Sequence, residues 1–447
     1  MTNIKYKKLF NGFQVIYEKP KSVLPITSIQ VFCNIGNIHS PVNMRGVTHF
    51  IEHMCFEGTK EHPDFNKVLI DYKDMGVEYN GISTERYTTY IIKCQDYYAD
   101  KCIRLLSEEL LNSTFDKSKF KKEQKVVMQE NINYSDEPAY ILKNNSNALL
   151  YENTPFQYPT DDVSYHTKEY DYAKVVDFYK QNYTPSNMIL SITTNIPFSK
   201  IIHFIEKTHF NKRTKQCVSI HKSMLSYLMN PPIIHGVKYK VKIIPKLSST
   251  YLNISFQTCN QYDFKEMYIL NLLSNILGSS LSSRLYKVLR EKYGLVYYIS
   301  TDTNYYECGG DFTFQTQFKC YSFIQKHEPS VLPLLIKELN DLNLHGITAS
   351  ELKVAKHNMR SHLLLEMENI DSQTYYNGNQ CLLYEKPQQI VPYIDIYKVY
   401  YAKITKAQID ACIRKYFCLK RMCVSIVGNH LPSLHLISEE CNKLHNK

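Results

Sequence analysis

The sequence predicts an α+β protein of two homologous domains, each an antiparallel-rich sheet with helices packed on one face. Chain length and a repeat of strand patterns carry this prediction. With 447 residues the chain is longer than an ordinary domain and accommodates two of about 200 residues each. Strand patterns are grouped at the ends of each half with helical patterns between them, which is typical of α+β domains.

Alternating apolar and polar residues open each half. This strand pattern covers residues 15–20 and 26–32 in the first half, and residues 241–245 and 251–256 in the second. Pro20 and Pro245, which follow the first strand of each half, lie 225 positions apart. We interpret each pair of strands as hairpin-like, and Asn11-Gly12 predicts a two-residue hairpin turn before the first pair.

An apolar strand pattern closes each half, at residues 187–195 and 421–429, an offset of 234. The opening and closing patterns therefore repeat at nearly the same spacing. Apolar periodicity weakens from about Arg213, and Pro231-Pro232 excludes a helix there. We expect a catalytic domain at 1–215, a linker at 216–232 and a second domain at 233–447.

Composition excludes several classes of protein. Hydrophobic residues make up 44% and charged residues 21%, as in soluble globular proteins. The formal charge of +10 comes from scattered lysines and not from a dense basic run interleaved with aromatic residues. We therefore expect no nucleic-acid partner, and a basic nucleic-acid-binding protein is the weaker alternative. No stretch approaches the roughly 20 apolar residues of a membrane span, so we expect no membrane partner.

Cysteine usage and the first residues favour a cytoplasmic protein. The 13 cysteines are odd in number and form no CxxC pair, which indicates a reducing compartment. The start of the sequence shows neither the apolar core of a secretory signal nor an Arg/Ser-rich presequence. Abundant Tyr, Lys, Asn and Ile are typical of AT-rich coding, as in some intracellular parasites and large DNA viruses.

The segment His49-Phe-Ile-Glu52-His53 is the sharpest motif in the chain. On a helix, His49 and His53 lie one turn apart on the same face, so both imidazoles reach one ion. Zinc suits such ligands, and Glu52 borders the same face, where it can take a proton from a metal-bound water. The alternative is two surface histidines on an amphipathic helix, but Gly46 before the motif and apolar residues after it favour a buried helix.

A third ligand is expected from a distant carboxylate. Residues 118–134 have a helical pattern in which Glu123 and Glu130 lie seven positions apart, with Val127 between them on the same stripe. A carboxylate pair sharing a face with valine is unusual for a solvated surface. One glutamate as a ligand and the other as its support explains the pattern. A solvated charge is the alternative for either residue alone.

Over nearly its whole length, the chain resembles the pitrilysin and mitochondrial processing peptidase family of inverted-motif zinc peptidases. Residues 46–59, Gly-Val-Thr-His-Phe-Ile-Glu-His-Met-Cys-Phe-Glu-Gly-Thr, are close to that family's core motif. The 76 residues between His53 and Glu130 are a typical family spacing.

The resemblance implies a zinc metalloendopeptidase with one zinc ion per chain, bound by His49, His53 and Glu130. It also implies Glu52 as the base that activates a metal-bound water, and Glu123 as a supporting catalytic residue. No HxxEH recurs in the second half, so the resemblance implies one catalytic and one non-metal-binding domain. The two are expected to form a clamshell around a peptide-binding cleft.

Candidate substrate-binding residues lie in both halves. Asn80 and Gly81 belong to an alternating strand pattern; the alternative is an ordinary polar edge strand. The resemblance implies that a peptide adds to this edge as a further strand, although Gly81 replaces the family's usual alanine. It likewise implies that Arg290 binds the peptide backbone and Tyr297 stabilises the oxyanion. From the residues alone, Arg290 lies near the end of a helix at about 282–293 and is interpreted as a cation that interacts with the helix dipole. Tyr297 is interpreted in the same way as a core aromatic residue. Because Tyr298 is adjacent, the oxyanion role could belong to either tyrosine.

The expected partners are a peptide or unfolded-protein substrate and a second subunit. Short two-domain members of the family often pair, so we expect a homodimer or a heterodimer with a related subunit. The alternative function is a catalytically inactive interaction subunit, although all parts of the motif are present. Cys55 is expected to be a small buried hydrophobe, and thiol modification that blocks activity is the minority interpretation.

Overall fold

The computed structural model describes residues 4–160, 169–212, 234, 236–278, 280–325, 328–383 and 390–445. It divides into two units, neither of which is continuous in sequence. The first comprises Met1–Tyr134, Pro159–Ile220 and Leu363–Asp395, and the second Ser135–Tyr158, His221–His362 and Ile396–Lys447. Each half of the chain thus contributes a segment to the unit formed mainly by the other half. The expected linker at 216–232 lies outside the described residues.

The strands of the described chain are β1 (Ile4–Lys8), β2 (Gln14–Glu18), β3 (Ile26–Cys33), β4 (Glu78–Ser83), β5 (Thr88–Gln95), β6 (Met188–Thr193), β7 (Lys238–Ile243), β8 (Ser249–Thr258), β9 (Val296–Tyr306), β10 (Gly309–Lys319) and β11 (Met422–Gly428). β1 to β6 form one sheet in the order β1-β2-β6-β3-β5-β4, and β7 to β11 form another in the order β7-β11-β8-β10-β9. β2 pairs with β6, and β7 with β11, in parallel; every other pairing is antiparallel. The expected antiparallel-rich sheets are confirmed.

The α-helices of the described chain are α1 (Val47–Cys55), α2 (Phe65–Asp74), α3 (Ala99–Asn112), α4 (Lys117–Asp136), α5 (Pro138–Leu150), α6 (Tyr172–Asn182), α7 (Phe198–Glu206), α8 (Phe264–Leu277), α9 (Val331–His345), α10 (Ala349–Glu366), α11 (Ile370–Leu383), α12 (Ile396–Val399), α13 (Lys406–Tyr416) and α14 (Leu434–Cys441). A π-helix at Tyr286–Lys292 precedes β9. Among these helices we find none with the length and apolar character needed to cross a membrane.

The internal repeat is confirmed by the strand orders, because β2-β6-β3-β5-β4 and β7-β11-β8-β10-β9 have the same topology. The opening strands of each half are not a hairpin, however. In the first unit β6 lies between β2 and β3, parallel to the first and antiparallel to the second. Every residue of β6 is buried, so this strand takes a central position with a partner on each side.

The hairpin expected at Asn11-Gly12 joins β1 to β2, which pair antiparallel. Its turn is longer than two residues, because Leu9 N donates to Phe13 O at 2.8 Å and Gly12 N donates to Leu9 O at 3.0 Å. Gly12 has a φ of 90°, which glycine adopts without strain.

The sheet of the first unit is covered on both faces. The main core packs helices such as α1, α3, α6 and α7 against one face. On the other face a smaller cluster brings Phe32 and Ile189 against Cys381 of α11. Gly378 of α11 lies so close to the Phe32 ring that an added Cβ would sit 2.0 Å from a ring carbon. The expected layer of helices on one face of the sheet is therefore present, and α11 covers the other face in addition.

Candidate metal centre

α1 presents the motif histidines on its less buried side. Gly46 precedes the helix with a φ of 76°, a left-handed conformation that a side chain would strain, so the chain turns sharply into the helix. Phe50, Ile51 and Met54 are buried in the main core of the first unit. The two motif histidines lie four residues apart on the same face and remain partly exposed.

Three atoms converge beside α1. His49 Nε2 and His53 Nε2 lie 3.1 Å apart. Glu130 of α4 places Oε2 3.4 Å from His53 Nε2 and 4.0 Å from His49 Nε2. A carboxylate 77 positions along the chain from His53 thus meets the imidazole pair, because α4 packs beside α1. Their roles as ligands stay a prediction.

Glu123, two turns before Glu130 on α4, contacts the other nitrogen of His53. Oε1 of Glu123 lies 2.8 Å from His53 Nδ1. An ionised carboxylate only accepts, so Nδ1 is the donor and carries the proton. Glu123 is buried, and the contact therefore holds the imidazole ring in one orientation.

The donor set fits a zinc ion. With Nδ1 protonated, neutral His53 directs the lone pair of Nε2 toward Glu130 Oε2, which is also an acceptor. Two acceptors at 3.4 Å repel each other unless a proton or a cation lies with them. Two imidazole nitrogens and a carboxylate oxygen are a common ligand set of catalytic zinc, with a further position left for water or substrate.

The same arrangement explains the raised pKa of His53. Burial opposes a charged imidazole, but the hydrogen bond to Glu123 and the nearby charges of Glu52, Glu130 and Glu123 together outweigh it. Without a metal, the ring therefore takes up a proton more readily than an ordinary histidine does. A metal ion must displace that proton to bind.

Glu52 points from α1 onto the face of β4. Ser83 Oγ donates to Glu52 Oε2 at 3.1 Å, and an added Cβ at Gly81 would sit 2.1 Å from Oε1. Burial raises the pKa of the carboxyl group, while the positive character of His49 and His53 and the Ser83 hydroxyl lower it. A carboxylate with a raised pKa suits a group that both takes and returns a proton near neutral pH.

Sequence reasoning missed Ser83 as a functional residue. The available signal was the alternation of β4, which places residues 81 and 83 on the same face two positions apart. What the alternation does not show is which helix covers that face.

Asn80 and Gly81 lie on β4, the last strand in the order of its sheet. β4 pairs with β5 on one side, and its other edge has no strand partner in the described part of the chain. The exposed side chain of Asn80 accepts from the Gly81 N–H at 2.9 Å. Substrate binding at this edge stays a prediction.

Arg290 and Tyr297 lie in the second unit. Arg290 Nη1 donates to Val296 O at 3.0 Å, and its guanidinium carbon lies 5.5 Å from the centre of the Tyr297 ring. Tyr297 is 75% exposed, so it is not the core aromatic of the alternative interpretation. Tyr298 is half-buried instead. Gly294 ends the helix with a φ of 62° and its N–H donates to Arg290 O, and the expected helix at about 282–293 contains a π-helix at Tyr286–Lys292.

A second group of potential ligands consists of Glu61, Glu108 and His209. His209 Nε2 lies 2.5 Å from Glu108 Oε2 and 3.9 Å from Glu61 Oε1. The first distance is that of a direct hydrogen bond, and Asn112 also donates to the same carboxylate oxygen. This pair ties the segment after α7 to α3, and we assign no metal to it.

Known proteins similar to this chain are zinc proteases and their structural relatives. Residues 15–162 match the family described as Insulinase (Peptidase family M16), and residues 169–359 match the Peptidase M16 inactive domain. An uncharacterized zinc protease of Bacillus subtilis is 28% identical over 378 residues, which cover 84% of this chain and 87% of that protein.

More distant likenesses agree with the fold. A protease from Helicobacter pylori superposes with a TM-score of 0.83 at 18% identity, over 96% of this chain and 100% of that one. Subunit 1 of the bovine mitochondrial cytochrome b-c1 complex is 24% identical over 204 residues, 46% of this chain and 42% of that protein. The two family models, which between them match residues 15–162 and 169–359, show that the chain belongs to peptidase family M16, the pitrilysin-like metallopeptidases.

Proposed function

We propose that this protein is a zinc metalloendopeptidase that binds one zinc ion through His49, His53 and Glu130. The supporting observation is the convergence of three ligand atoms from α1 and α4 beside a buried carboxylate. The contact of His53 Nε2 with Glu130 Oε2 at 3.4 Å requires a proton or a cation beside the two acceptors, and a zinc ion bound to both atoms and to His49 Nε2 meets that requirement. Relatives named as zinc proteases support the same reaction class.

In the proposed reaction the zinc ion and the side chains have different roles. Zinc in such a site acts as a Lewis acid, which polarises a carbonyl and lowers the pKa of water. Glu52 takes the proton from the attacking water and passes it to the leaving amine nitrogen, as one carboxylate serving first as base and then as acid. Its burial excludes bulk water from this transfer, and Glu123 keeps the His53 ring in place.

The peptide backbone is held at the free edge of β4. Main-chain hydrogen bonds to an edge strand bind an extended segment without requiring particular side chains, which suits an unfolded or flexible substrate. Asn80 and Gly81 provide this edge. For Arg290 and Tyr297 we propose contacts with the substrate, the guanidinium with the peptide backbone and the exposed phenol with the developing oxyanion.

Metal analysis combined with a mixed peptide library tests the proposal. Purified protein should contain about one zinc per chain, and chelation should abolish cleavage that added zinc restores. Glu52→Gln should keep the zinc and lower kcat at least about a hundredfold, since it removes the proton carrier. Glu368→Gln, at an exposed glutamate of the same unit, is the matched control. Absence of zinc, or full activity in Glu52→Gln, would overturn the assignment.

An interaction role is the second candidate. Two observations favour it: residues 169–359 match a domain described as inactive, and a bovine relative is named as a subunit of a larger complex. We propose that the chain forms a homodimer or a heterodimer with a related subunit and works in the cytoplasm. Light scattering of the purified protein tests the oligomeric state, and fractionation of the source cells tests the location. A zinc-free protein that copurifies with a related subunit would favour the inactive role.

A further inference from the structure

A small cavity lies within the second unit, at residues that the proposed peptidase site does not use. Its volume is about 140 Å³, and the last turn of α8, the segment 280–287 and one side of α10 line it. Four serines contribute to this lining: Ser280, Ser282, Ser283 and Ser350. A concave site with several convergent hydroxyl groups has the chemistry to bind a small polar ligand.

Ser283 is the observation that points to a ligand in this cavity. Only 2% of the residue is exposed, yet no described group lies within hydrogen-bond distance of its Oγ. A buried hydroxyl without a partner costs free energy, and such groups are rare in native proteins. Asn275 lines the same cavity, and its Oδ1 also has no hydrogen-bond partner among the described residues. A polar molecule in the cavity supplies the hydrogen bonds that these side chains lack.

The charge of the cavity depends on Lys287. Glu351 also lines the cavity, but its two oxygens accept from Arg284 at 2.7 Å each, and this ion pair offsets its negative charge. The last turn of α8 and the first turn of α10 bring partial charges of opposite sign, which offset each other. The ammonium group of Lys287 remains, so the cavity favours an anion.

The hydroxyl groups suit a tetrahedral oxyanion. Ser280 Oγ and Ser282 Oγ lie 3.1 Å apart, so one donates to the other and one proton remains for a ligand. Ser283 and Lys287 add donors from the same short segment. At about 30 Å³ for each water molecule, the cavity holds about four to five waters. This space accommodates the four oxygens of one phosphate group and is too small for a nucleotide.

We propose that this cavity binds a phosphate group, held by the three serines of residues 280–283 and by Lys287. Inorganic phosphate and the phosphate of a phosphomonoester have this chemistry in common. In both cases the bound oxygens accept from the Ser283 hydroxyl and from the ammonium group. None of the proposed zinc ligands belongs to this site, so its occupancy does not depend on the proposed function.

Other roles for the cavity make different predictions. If water is its only occupant, phosphate changes the melting temperature no more than sodium chloride of the same ionic strength. If the Ser283 hydroxyl supports the fold, Ser283→Ala lowers the melting temperature in phosphate-free buffer. A ligand-binding role instead predicts no loss of stability without phosphate, because the variant removes an unpartnered hydroxyl, and loss of the rise that phosphate causes in the wild type.

Isothermal titration of the full chain with inorganic phosphate, at constant ionic strength, measures the affinity. We expect a dissociation constant of about 1 mM or lower for the wild type. Ser283→Ala should weaken binding about 10- to 100-fold and Lys287→Gln about tenfold, since each loses a charge-assisted hydrogen bond. Two matched controls should bind phosphate as the wild type does. Ser425→Ala removes another buried hydroxyl without a partner among the described residues, and Lys265→Gln replaces an exposed lysine of α8.

Crystals soaked in phosphate show the occupant directly. The proposal expects tetrahedral density in the cavity, within hydrogen-bond distance of Ser283 Oγ. Separate water molecules at a saturating phosphate concentration, an absence of saturable binding, or wild-type affinity in both Ser283→Ala and Lys287→Gln would overturn the site. A parallel titration with phosphoserine distinguishes the two sources: comparable affinity supports a phosphomonoester, and binding of inorganic phosphate alone supports the free ion.

Discussion

His53 and Glu123 are joined through the imidazole nitrogen that faces away from the other ligand atoms, Nδ1, at 2.8 Å from Oε1. Because that nitrogen holds a proton, the lone pair of Nε2 is directed at the proposed metal position. Glu123 therefore selects the tautomer of the proposed ligand His53 without needing to bind the ion itself. A carboxylate in this role also makes the imidazole a stronger electron donor to a metal, since it stabilises positive charge on the ring.

We predict that Glu123→Gln lowers zinc affinity about 10- to 100-fold, because the neutral amide holds His53 less firmly and with less charge. Competition with a chromophoric chelator measures the dissociation constant. Gln129→Ala, at an exposed position of the same helix, should leave it unchanged. If Glu123→Gln binds zinc as tightly as the wild type, the supporting role assigned to Glu123 is wrong.

The parts of the site that could be predicted from sequence are those fixed by local geometry. His49 and His53 are four positions apart, and the period of a helix alone places both rings on one face. Glu130 required more, and its spacing from His53 became informative only through the resemblance to known peptidases. The expected ligands lie together because α4 packs beside α1.

Non-local pairing accounts for what the sequence did not reveal. β6 enters between β2 and β3, and α11 covers the second face of a sheet formed almost entirely by residues far from it in sequence. No local sequence pattern indicates that Gly378 packs against the Phe32 ring. The contact of Glu52 with Gly81 and Ser83 is of the same kind, because it depends on which face of β4 meets α1.

The adjacent tyrosines of β9 can be distinguished by mutation. The phenol of Tyr297 is largely exposed and stacks near Arg290, whereas Tyr298 is half-buried and burial raises its pKa. We predict that Tyr297→Phe lowers kcat about 100- to 1,000-fold, as loss of one oxyanion donor does, with an unchanged melting temperature. Tyr298→Phe should keep kcat. Steady-state kinetics on one cleaved peptide decides between them, and the reverse pattern would move the assignment to Tyr298.

Cys55 should resist alkylation. Its side chain is fully buried beside the motif, and burial raises the pKa of the thiol far above its usual range, so little thiolate is present at neutral pH. Cys320 and Cys418 are partly exposed and should react before Cys55. Mass spectrometry of iodoacetamide-treated protein measures the order of labelling. Early labelling of Cys55, with activity lost in step and preserved in Cys55→Ala, would support the minority interpretation.

Glu109 of α3 should make the first unit less stable as the pH rises. Burial raises the pKa of its carboxyl group to about 8, an effect that the hydrogen bond from Tyr72 only partly opposes. The unfolded chain loses this proton near pH 4.5. Between these two values the native state binds more protons than the unfolded state, so the free energy of unfolding falls with rising pH. The slope reaches at most about 1.4 kcal/mol per pH unit.

Glu109→Gln tests this directly, because glutamine stays neutral and still accepts from the Tyr72 hydroxyl. We predict that the variant gains stability over the wild type as the pH rises from about 5 to 8, by on the order of 2–4 kcal/mol across that window. Chemical denaturation at several pH values measures the difference, and subtraction cancels the titration of the other groups. Glu368→Gln, at an exposed carboxylate, should show no such trend. A stability difference independent of pH would mean that Glu109 is ionised in the folded protein, and that its burial is offset by contacts other than the one with Tyr72.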